Sequence, residues 1–360
     1  MFRIHMLPAF HGDCLWIEYG SEDKSKFILI DGGTTSTWPV LKAKLLDVKQ
    51  RLGGKLHIEL FVITHVDADH IGGALKLLEQ RGPLGITFGD VWFNGFRHLD
   101  NEQMPPPTDV LGGKQGEQLS ALIDDARLTW NQAFGRRAVM VPDVGPLPRF
   151  DFGGMKLTLL SPTFEKLQKL KPVWEAEVRR AGLVPGEAYE VVDGRTDGDI
   201  LGDETVEQLA GVPFKSDTSQ ANGSSIAFLA EYERKTVFFG ADAHAGVVYD
   251  SLKRGPLHDR DVLEVAAFKV SHHGSKGNTS EALVKALPAR HSLISTNGDQ
   301  FEHPDPEAVA RIAAHGPNAK RLHFNYKSPF NKEWSSASRR NDWHYSTEYG
   351  ADGKGLQLDL

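Results

Sequence analysis

Residues 61–73 read FVITHVDADHIGG. An apolar, β-branched run leads straight into His65, Asp67, Asp69 and His70, and then into two glycines. Such a run reads as a buried strand. The "HIGGALKLLEQRG" that follows has the spacing of an amphipathic helix with a glycine stop. The four polar side chains therefore belong to the loop between a strand end and the first turn of a helix. Residues two apart on that loop can converge, while adjacent Asp69 and His70 point apart, so one loop can feed two neighbouring metal ions. Imidazole suits zinc, and carboxylate suits zinc, manganese or magnesium. The plainer reading makes Asp67 or Asp69 a helix N-cap and the histidines incidental.

The flanking sequence supports a layered α/β fold. Upstream, "FRIHML", "DCLWIEYG" and "FILIDGG" read as short strands, and "TWPVLKAKLLDVKQRLGG" as a helix ending on glycines. From about residue 224 the pattern resumes. "SSIAFLAEYERKTVFFGAD" reads as a hairpin, "VLEVAAFKVSHHGS" as a strand ending in histidines, and "SEALVKALPARHSLIST" as a helix then a strand. "DPEAVARIAAHG" is a further helix. Histidines or acids at successive strand ends fit a site at the carboxyl edge of an α/β sheet. Residues 94–135 and 162–217 read as insertions into one domain spanning 1–360. Within the second, residues 185–217 carry nine Asp or Glu against two Lys or Arg. That acidic stretch is expected to lie away from an anionic substrate or to act as a closing lid.

The 360 residues, 40% hydrophobic and 25% charged, can bury a sizeable core. A net charge of −7 argues against a generally basic nucleic-acid coat, though not against a local basic groove. The N-terminal "MFRIHMLPAF" lacks a signal-peptide pattern, and no apolar run reaches the ~18–20 residues of a membrane span. A single cysteine, Cys14, rules out an internal disulfide framework and suits the cytoplasm.

Three more clusters stand at strand ends: Asp242 in "FFGADAH", His272 and His273 in "FKVSHHGS", and Asn297 and His303 in "STNGDQFEHP". Together with "ILIDGG", "THVDADHIGG" and "NGSS", this ordered set resembles the metallo-β-lactamase-fold hydrolases. Within that superfamily it is most similar to the nuclease-like domain of the DNA-uptake competence channel, and a similar arrangement occurs in phosphorylcholine esterases. The motifs cover residues 1–93 and about 222–305. The resemblance implies a four-layer αββα sandwich with a two-metal site. It implies His65 as a first-metal ligand, Asp69, His70 and His272 as second-metal ligands, and Asp242 as the bridge. Asp67 stands where most members have a second histidine, and Asn222 is the nearest stand-in for a missing third one. These oxygen-for-nitrogen changes make the cofactor two divalent ions, Zn2+ or Mn2+. Asp31 in "IDGG" is either an orienting partner of a ligand or a turn aspartate.

Two divalent ions suit a phosphodiester, although other esters use the same device. His273, Ser275 and Lys276 of "HHGSKGNTS" stand beside the metals as donors for phosphate oxygens, with His273 on the substrate side. The catalytic group is thus expected to comprise Asp69, His273, His303 and Lys276. His303 reads either as a donor to the scissile group or as a further ligand. The C-terminal "KRLHFNYKSPFNKEWSSASRRNDWHY" interleaves basic side chains with rings, which suits single-stranded nucleic acid. It reads equally as a closing strand with ordinary surface charges. The expected activity is a phosphodiesterase, a nuclease acting on single-stranded DNA. The alternatives are a hydrolase of small phosphodiesters or other esters, and a non-catalytic copy of the fold that binds a partner.

Overall fold

The computed structural model describes residues 1–99, 114–180, 204–351 and 353–360. Fourteen strands are present among them. β1 (Phe2–Met6), β2 (Leu15–Ser21), β3 (Lys24–Ile30), β4 (Leu56–Val62) and β5 (Ile86–Trp92) come first. β6 (Arg149–Phe152), β7 (Met155–Ser161), β8 (Ala227–Tyr232), β9 (Lys235–Phe239) and β10 (Val265–Lys269) follow. β11 (Ala289–Ile294), β12 (Lys320–Phe324), β13 (Tyr345–Tyr349) and β14 (Leu356–Asp359) complete them. The α-helices are α1 (Trp38–Arg51), α2 (Ala68–Leu84), α3 (Lys114–Asp125), α4 (Phe164–Arg180) and α5 (Val206–Ala210). They continue as α6 (Gln220–Gly223), α7 (Ala245–Arg254), α8 (Glu281–Ala286), α9 (Pro306–His315) and α10 (Ala337–Asp342).

The strands form two mixed sheets, one of six in the order β14-β1-β2-β3-β4-β5 and one of eight in the order β13-β12-β11-β10-β9-β8-β7-β6. β3, β4 and β5 run parallel, as do β9 through β13. Parallel strands need crossovers, and the helices that supply them cover the outer faces. Ile4, Ile17, Leu60 and Val62 of the first sheet meet Leu157, Phe228, Phe238 and Leu322 of the second in one core between the sheets. Trp16, Leu29 and Phe61 point the other way, onto Leu41 and Leu45 of α1 and Leu77 and Leu78 of α2. Val248 and Leu252 of α7 and Val309 and Ile312 of α9 pack on the second sheet's side. The result is the αββα sandwich expected from the sequence. Leu60, Phe61 and Val62 at the end of β4 are buried on both faces, which is why the approach to the loop reads as an unbroken apolar run.

The described parts of the insertions join this frame. Leu119 of α3 and Leu167, Leu170 and Trp174 of α4 share the outer core of α1 and α2. Most of the acidic stretch, residues 185–203, lies outside the described residues, so its expected placement does too. β12 is the closing strand that "KRLHF" offered as one of its two readings, whereas the β6–β7 hairpin, α7, β13 and β14 were not anticipated. β14 pairs with β1 in antiparallel register, Arg3 opposite Asp359 and Met6 opposite Leu356. The C-terminal rings are largely spent on packing: Phe324, Trp334 and Tyr345 are buried in the inter-sheet core. None of the described helices is long and apolar enough to cross a membrane.

Candidate metal centre

The opening loop leaves β4 at Ile63 and turns into α2, with Asp67 at the N-cap position but without a side-chain capping bond. The paired glycines explain how α2 can lie so close. A Cβ on Gly73 would sit 2.0 Å from the Gly32 carbonyl, and one on Gly32 would sit 2.1 Å from the Ala74 amide. The backbone after β3 therefore presses on the first turns of α2 and brings Asp31 beneath the loop.

Asp31 organises two ligand candidates at once. Its Oδ1 accepts from the Thr64 amide at 2.8 Å and its Oδ2 from the Thr64 hydroxyl at 2.8 Å. His70 Nδ1 lies 2.8 Å from the same Oδ2. A carboxylate only accepts here, so the His70 proton is on Nδ1 and Nε2 faces inward. Because the Thr64 hydroxyl donates to Asp31, it accepts from His65 Nδ1 at 3.0 Å, and His65 Nε2 is likewise bare.

The same logic holds for the two adjacent histidines after β10. His273 Nδ1 donates to the Ser295 carbonyl at 2.8 Å, and His272 Nδ1 to Asn278 Oδ1 at 3.0 Å. Four Nε2 atoms thus converge on Asp242. Its Oδ2 lies 3.8 Å from His65, 3.5 Å from His70, 3.8 Å from His272 and 3.7 Å from His273.

Ordinary strand-end geometry would let only one of the paired rings point inward. Here His272 and His273 both adopt left-handed backbone, with φ of 47° and 53°. That corner turns both rings toward Asp242 from different sides, 5.9 Å apart. His273 is the deeper, at 1% side-chain exposure against 21% for His272. It is His273, expected on the substrate side, that meets Asp69, Nε2 to Oδ2 at 3.2 Å, and His70, Nε2 to Nε2 at 3.3 Å.

Among the described residues two sets could hold an ion, each with ligand atoms within 4.8 Å of one another: His65, His70 and Asp242, and Asp69, His70 and His273. His65 Nε2 and Asp242 Oδ1 are buried with no hydrogen-bond partner. Such orphaned atoms are costly unless something binds them. The borderline nitrogen and hard carboxylate donors suit Zn2+ or Mn2+, so the residues fit the ions expected. Protonation follows the same crowding. Burial would raise the Asp242 and Asp69 carboxyls, yet His70 and His273 beside them hold both below the usual range. Burial would lower His70 and His273, but Asp242 foremost among their neighbours pushes both up. A divalent cation would stand in for those imidazole protons.

The other expected residues lie further out. Asp67 Oδ2 is 3.5 Å from His65 Nε2. Asn222 belongs to neither set; its Nδ2 donates to Asp217 at 2.7 Å and lies 3.3 Å from His272 Nδ1, behind that ring. The His303 ring is 5.2 Å from that of His272, with Nδ1 3.6 Å from Asp305. Lys276 is paired with Glu307 at 2.9 Å. Sequence reasoning missed Asp217 and Asn278, which brace His272, and the buried pair of Lys269 with Asp13, whose Oδ1 lies 3.7 Å from His273 Nδ1. The signal was there in "HGDC" and "FKVSHH", a lone acid and a lone base in otherwise apolar strand surroundings.

The matches among solved structures share little sequence with this chain. The metallo-beta-lactamase fold protein YhfI from Bacillus subtilis is 10% identical over 100% of both chains, with a TM-score of 0.42. Zn(2+)-bound PqqB from Methylobacterium extorquens is 11% identical over 99% of this chain and 100% of its own, with a TM-score of 0.37. A diphosphatase from the PhnP family is 11% identical over 97% and 84%, with a TM-score of 0.34. No curated protein matches the chain. Residues 7–298, which contain both candidate ligand sets, match the Metallo-beta-lactamase superfamily, and the chain belongs to that superfamily.

Proposed function

We propose that this single-domain hydrolase cleaves phosphodiesters with two divalent ions, Zn2+ or Mn2+, and that single-stranded DNA is its polymer substrate. The convergence of four bare Nε2 atoms on Asp242 carries the reading. His65, with Asp67 and His272 beside it, would hold one ion, and Asp69, His70 and His273 the other, with Asp242 between. His273 thus takes the ligand place that the resemblance implied for His272. Ions bound there lower the pKa of a water and neutralise charge on a phosphoryl group.

The chain's own contribution is to fix the ligands before substrate arrives. Asp31, Thr64, Asn278 and Ser295 each accept an Nδ1 proton or relay one, which sets the tautomer of every inward-facing imidazole. The Lys269 ammonium neutralises Asp13 in the layer behind His273 without entering the site. The DNA assignment draws on the resemblance to the competence-channel nuclease-like domain and on exposed Arg321, Lys327 and Lys332. A small phosphodiester is the second reading. It is favoured by the burial of the C-terminal rings and by the engagement of Lys276 with Glu307.

Protein loaded with Zn2+ or Mn2+ and assayed on bis-p-nitrophenyl phosphate, single-stranded DNA, RNA and cyclic dinucleotides tests both. Metal-dependent turnover of DNA and of the chromogenic diester is expected. Turnover of small esters alone would favour the second reading, and no turnover of any would sink the proposal.

A further inference from the structure

A cavity of 310 Å³ opens beside the ligand cluster. It is lined by Phe10, His11, Thr35, Ser36 and Gln115, together with Asn297 and Asp299 from the loop after β11. Ala68 is the wall shared with the cluster, since its chain neighbours are Asp67 and Asp69. None of the lining residues belongs to either metal-ligand set.

The Phe10 ring is 39% exposed although the chain has ample core. Its backbone is left-handed, with φ of 61°. The peptide is pinned on both sides: its amide donates to the Tyr326 hydroxyl at 2.9 Å, and its carbonyl accepts from the Asn297 amide at 2.9 Å. A ring held in so unfavourable a conformation and left in solvent serves something other than packing. Beside it, Asn297 Nδ2 donates to Asp299 Oδ2 at 2.6 Å, and Asn297 Oδ1 accepts from the Asp299 amide at 3.1 Å. That reciprocal pair fixes a carboxylate on the wall. A second ring lies beyond: Phe301, 40% exposed, meets the His11 ring at 5.9 Å.

The geometry points to a nucleobase as the occupant of this cavity, guanine before the others, an inference that rests on the phosphodiester reading above. An exposed ring supplies a stacking face, which every base can use. Hydroxyl and amide side chains supply donors and acceptors for a base edge. A fixed carboxylate accepts two adjacent N–H donors, and guanine presents such a pair on its Watson–Crick edge. The same carboxylate repels a phosphate, so the phosphodiester belongs at the metal cluster and the base in the cavity. A quaternary ammonium would call for a cage of several rings, whereas hydrogen-bonding side chains outnumber rings here.

Calorimetric binding of GMP, CMP, ribose 5-phosphate and phosphocholine to the metal-loaded full chain tests the inference. GMP should bind roughly 5–100-fold more tightly than ribose 5-phosphate, the range that stacking one base supplies. Phe10→Ala should remove most of that gap and leave ribose 5-phosphate binding unchanged, and Asp299→Asn should erase the preference for GMP over CMP. Should Phe10→Ala lower the melting temperature, Phe10→Leu, which keeps apolar bulk without a stacking face, gives the same reading. Equal binding of GMP and ribose 5-phosphate, a gap that survives loss of the ring, or tightest binding of phosphocholine would overturn it. Turnover of bis-p-nitrophenyl phosphate, run in parallel, keeps the two readings apart. Turnover without base preference removes the nucleobase site alone; base-dependent binding without turnover removes the hydrolase reading and leaves a nucleotide-binding cavity.

Discussion

The Lys269 ammonium lies 2.7 Å from the Asp13 carboxylate, and neither side chain reaches solvent. Lys269 ends β10 three residues before His272, and Asp13 belongs to the loop entering β2, so the pair ties one sheet to the other behind His273. Removing one member leaves the other as an uncompensated buried charge. Lys269→Met should therefore cost about 3–5 kcal/mol of stability. The double variant Lys269→Met/Asp13→Leu should recover much of that loss. Chemical denaturation of both variants decides it, and a double variant no more stable than the single would contradict this account.

The paired histidines should separate in metal content. His273→Ala removes a buried contact of Asp69 and His70 and is expected to abolish one equivalent of bound ion together with activity. Asn222→Ala, two contacts removed from Asp242, should keep both ions. Elemental analysis after loading and desalting checks this; a His273 variant that retains full stoichiometry would show that the ion of Asp69 and His70 does not need His273.

Asp31 fixes the His70 tautomer without touching the centre. Asp31→Asn should keep the fold but weaken metal binding by roughly 10–100-fold, the usual consequence of losing a ligand's outer partner. Competition with a chromogenic chelator reads the affinity directly. Unchanged affinity would mean that Thr64 alone suffices to orient the ring.

Lys276 is half exposed and already paired with Glu307. Such a bridge is screened by solvent and contributes less than about 1 kcal/mol. Lys276→Ala should change neither melting temperature nor the salt dependence of KM appreciably. A marked fall in that salt dependence would show that the ammonium leaves Glu307 to meet an anionic substrate.

Acid sensitivity should come partly from His98. Burial, with Arg97 adding to it, pulls this imidazole from 6.5 down to about 3, and its Nδ1 accepts from the Gly95 amide at 3.1 Å. The folded state thus binds its proton less readily than the unfolded state. Stability from this group is complete above about pH 6.5 and drains away as pH falls toward 3. Each pH unit in that window removes about 1.4 kcal/mol. His98→Phe leaves the Gly95 amide unpaired, at a cost of about 1–3 kcal/mol at every pH. It should also flatten the decline between pH 6.5 and 5. Denaturation curves at the two pH values give the slope, and an equal slope in both proteins would exonerate His98.

How far the sequence carried the reading is clearest along β4 and α2. The apolar run and the acid–histidine loop each have a local cause, so strand, loop and helix were legible, whereas the close approach of Gly32 to Gly73 and Ala74 emerges only in the fold. The roles of His272 and His273 were not. They depend on two consecutive left-handed residues, a backbone state that stays uncommon for any residue other than glycine even though histidine is among those enriched in it. Asn222, the first residue of "NGSS", was placed as the nearest stand-in for a missing histidine, but its side chain answers to Asp217, a residue whose partners come from three other segments. The C-terminal basic and aromatic stretch shows the same limit in reverse. Composition alone could not tell rings that meet solvent from rings that fill the space between sheets.

The pairing of β14 with β1 joins residues about 356 positions apart in the chain. On the ribosome, β1 is made some 350 residues before the neighbour that completes its ladder. Until then the first strand offers an unpaired edge of backbone donors and acceptors, open to any extended segment nearby. Holding that edge is a natural task for a chaperone, and shortening the chain before Leu356 would make the vulnerability permanent.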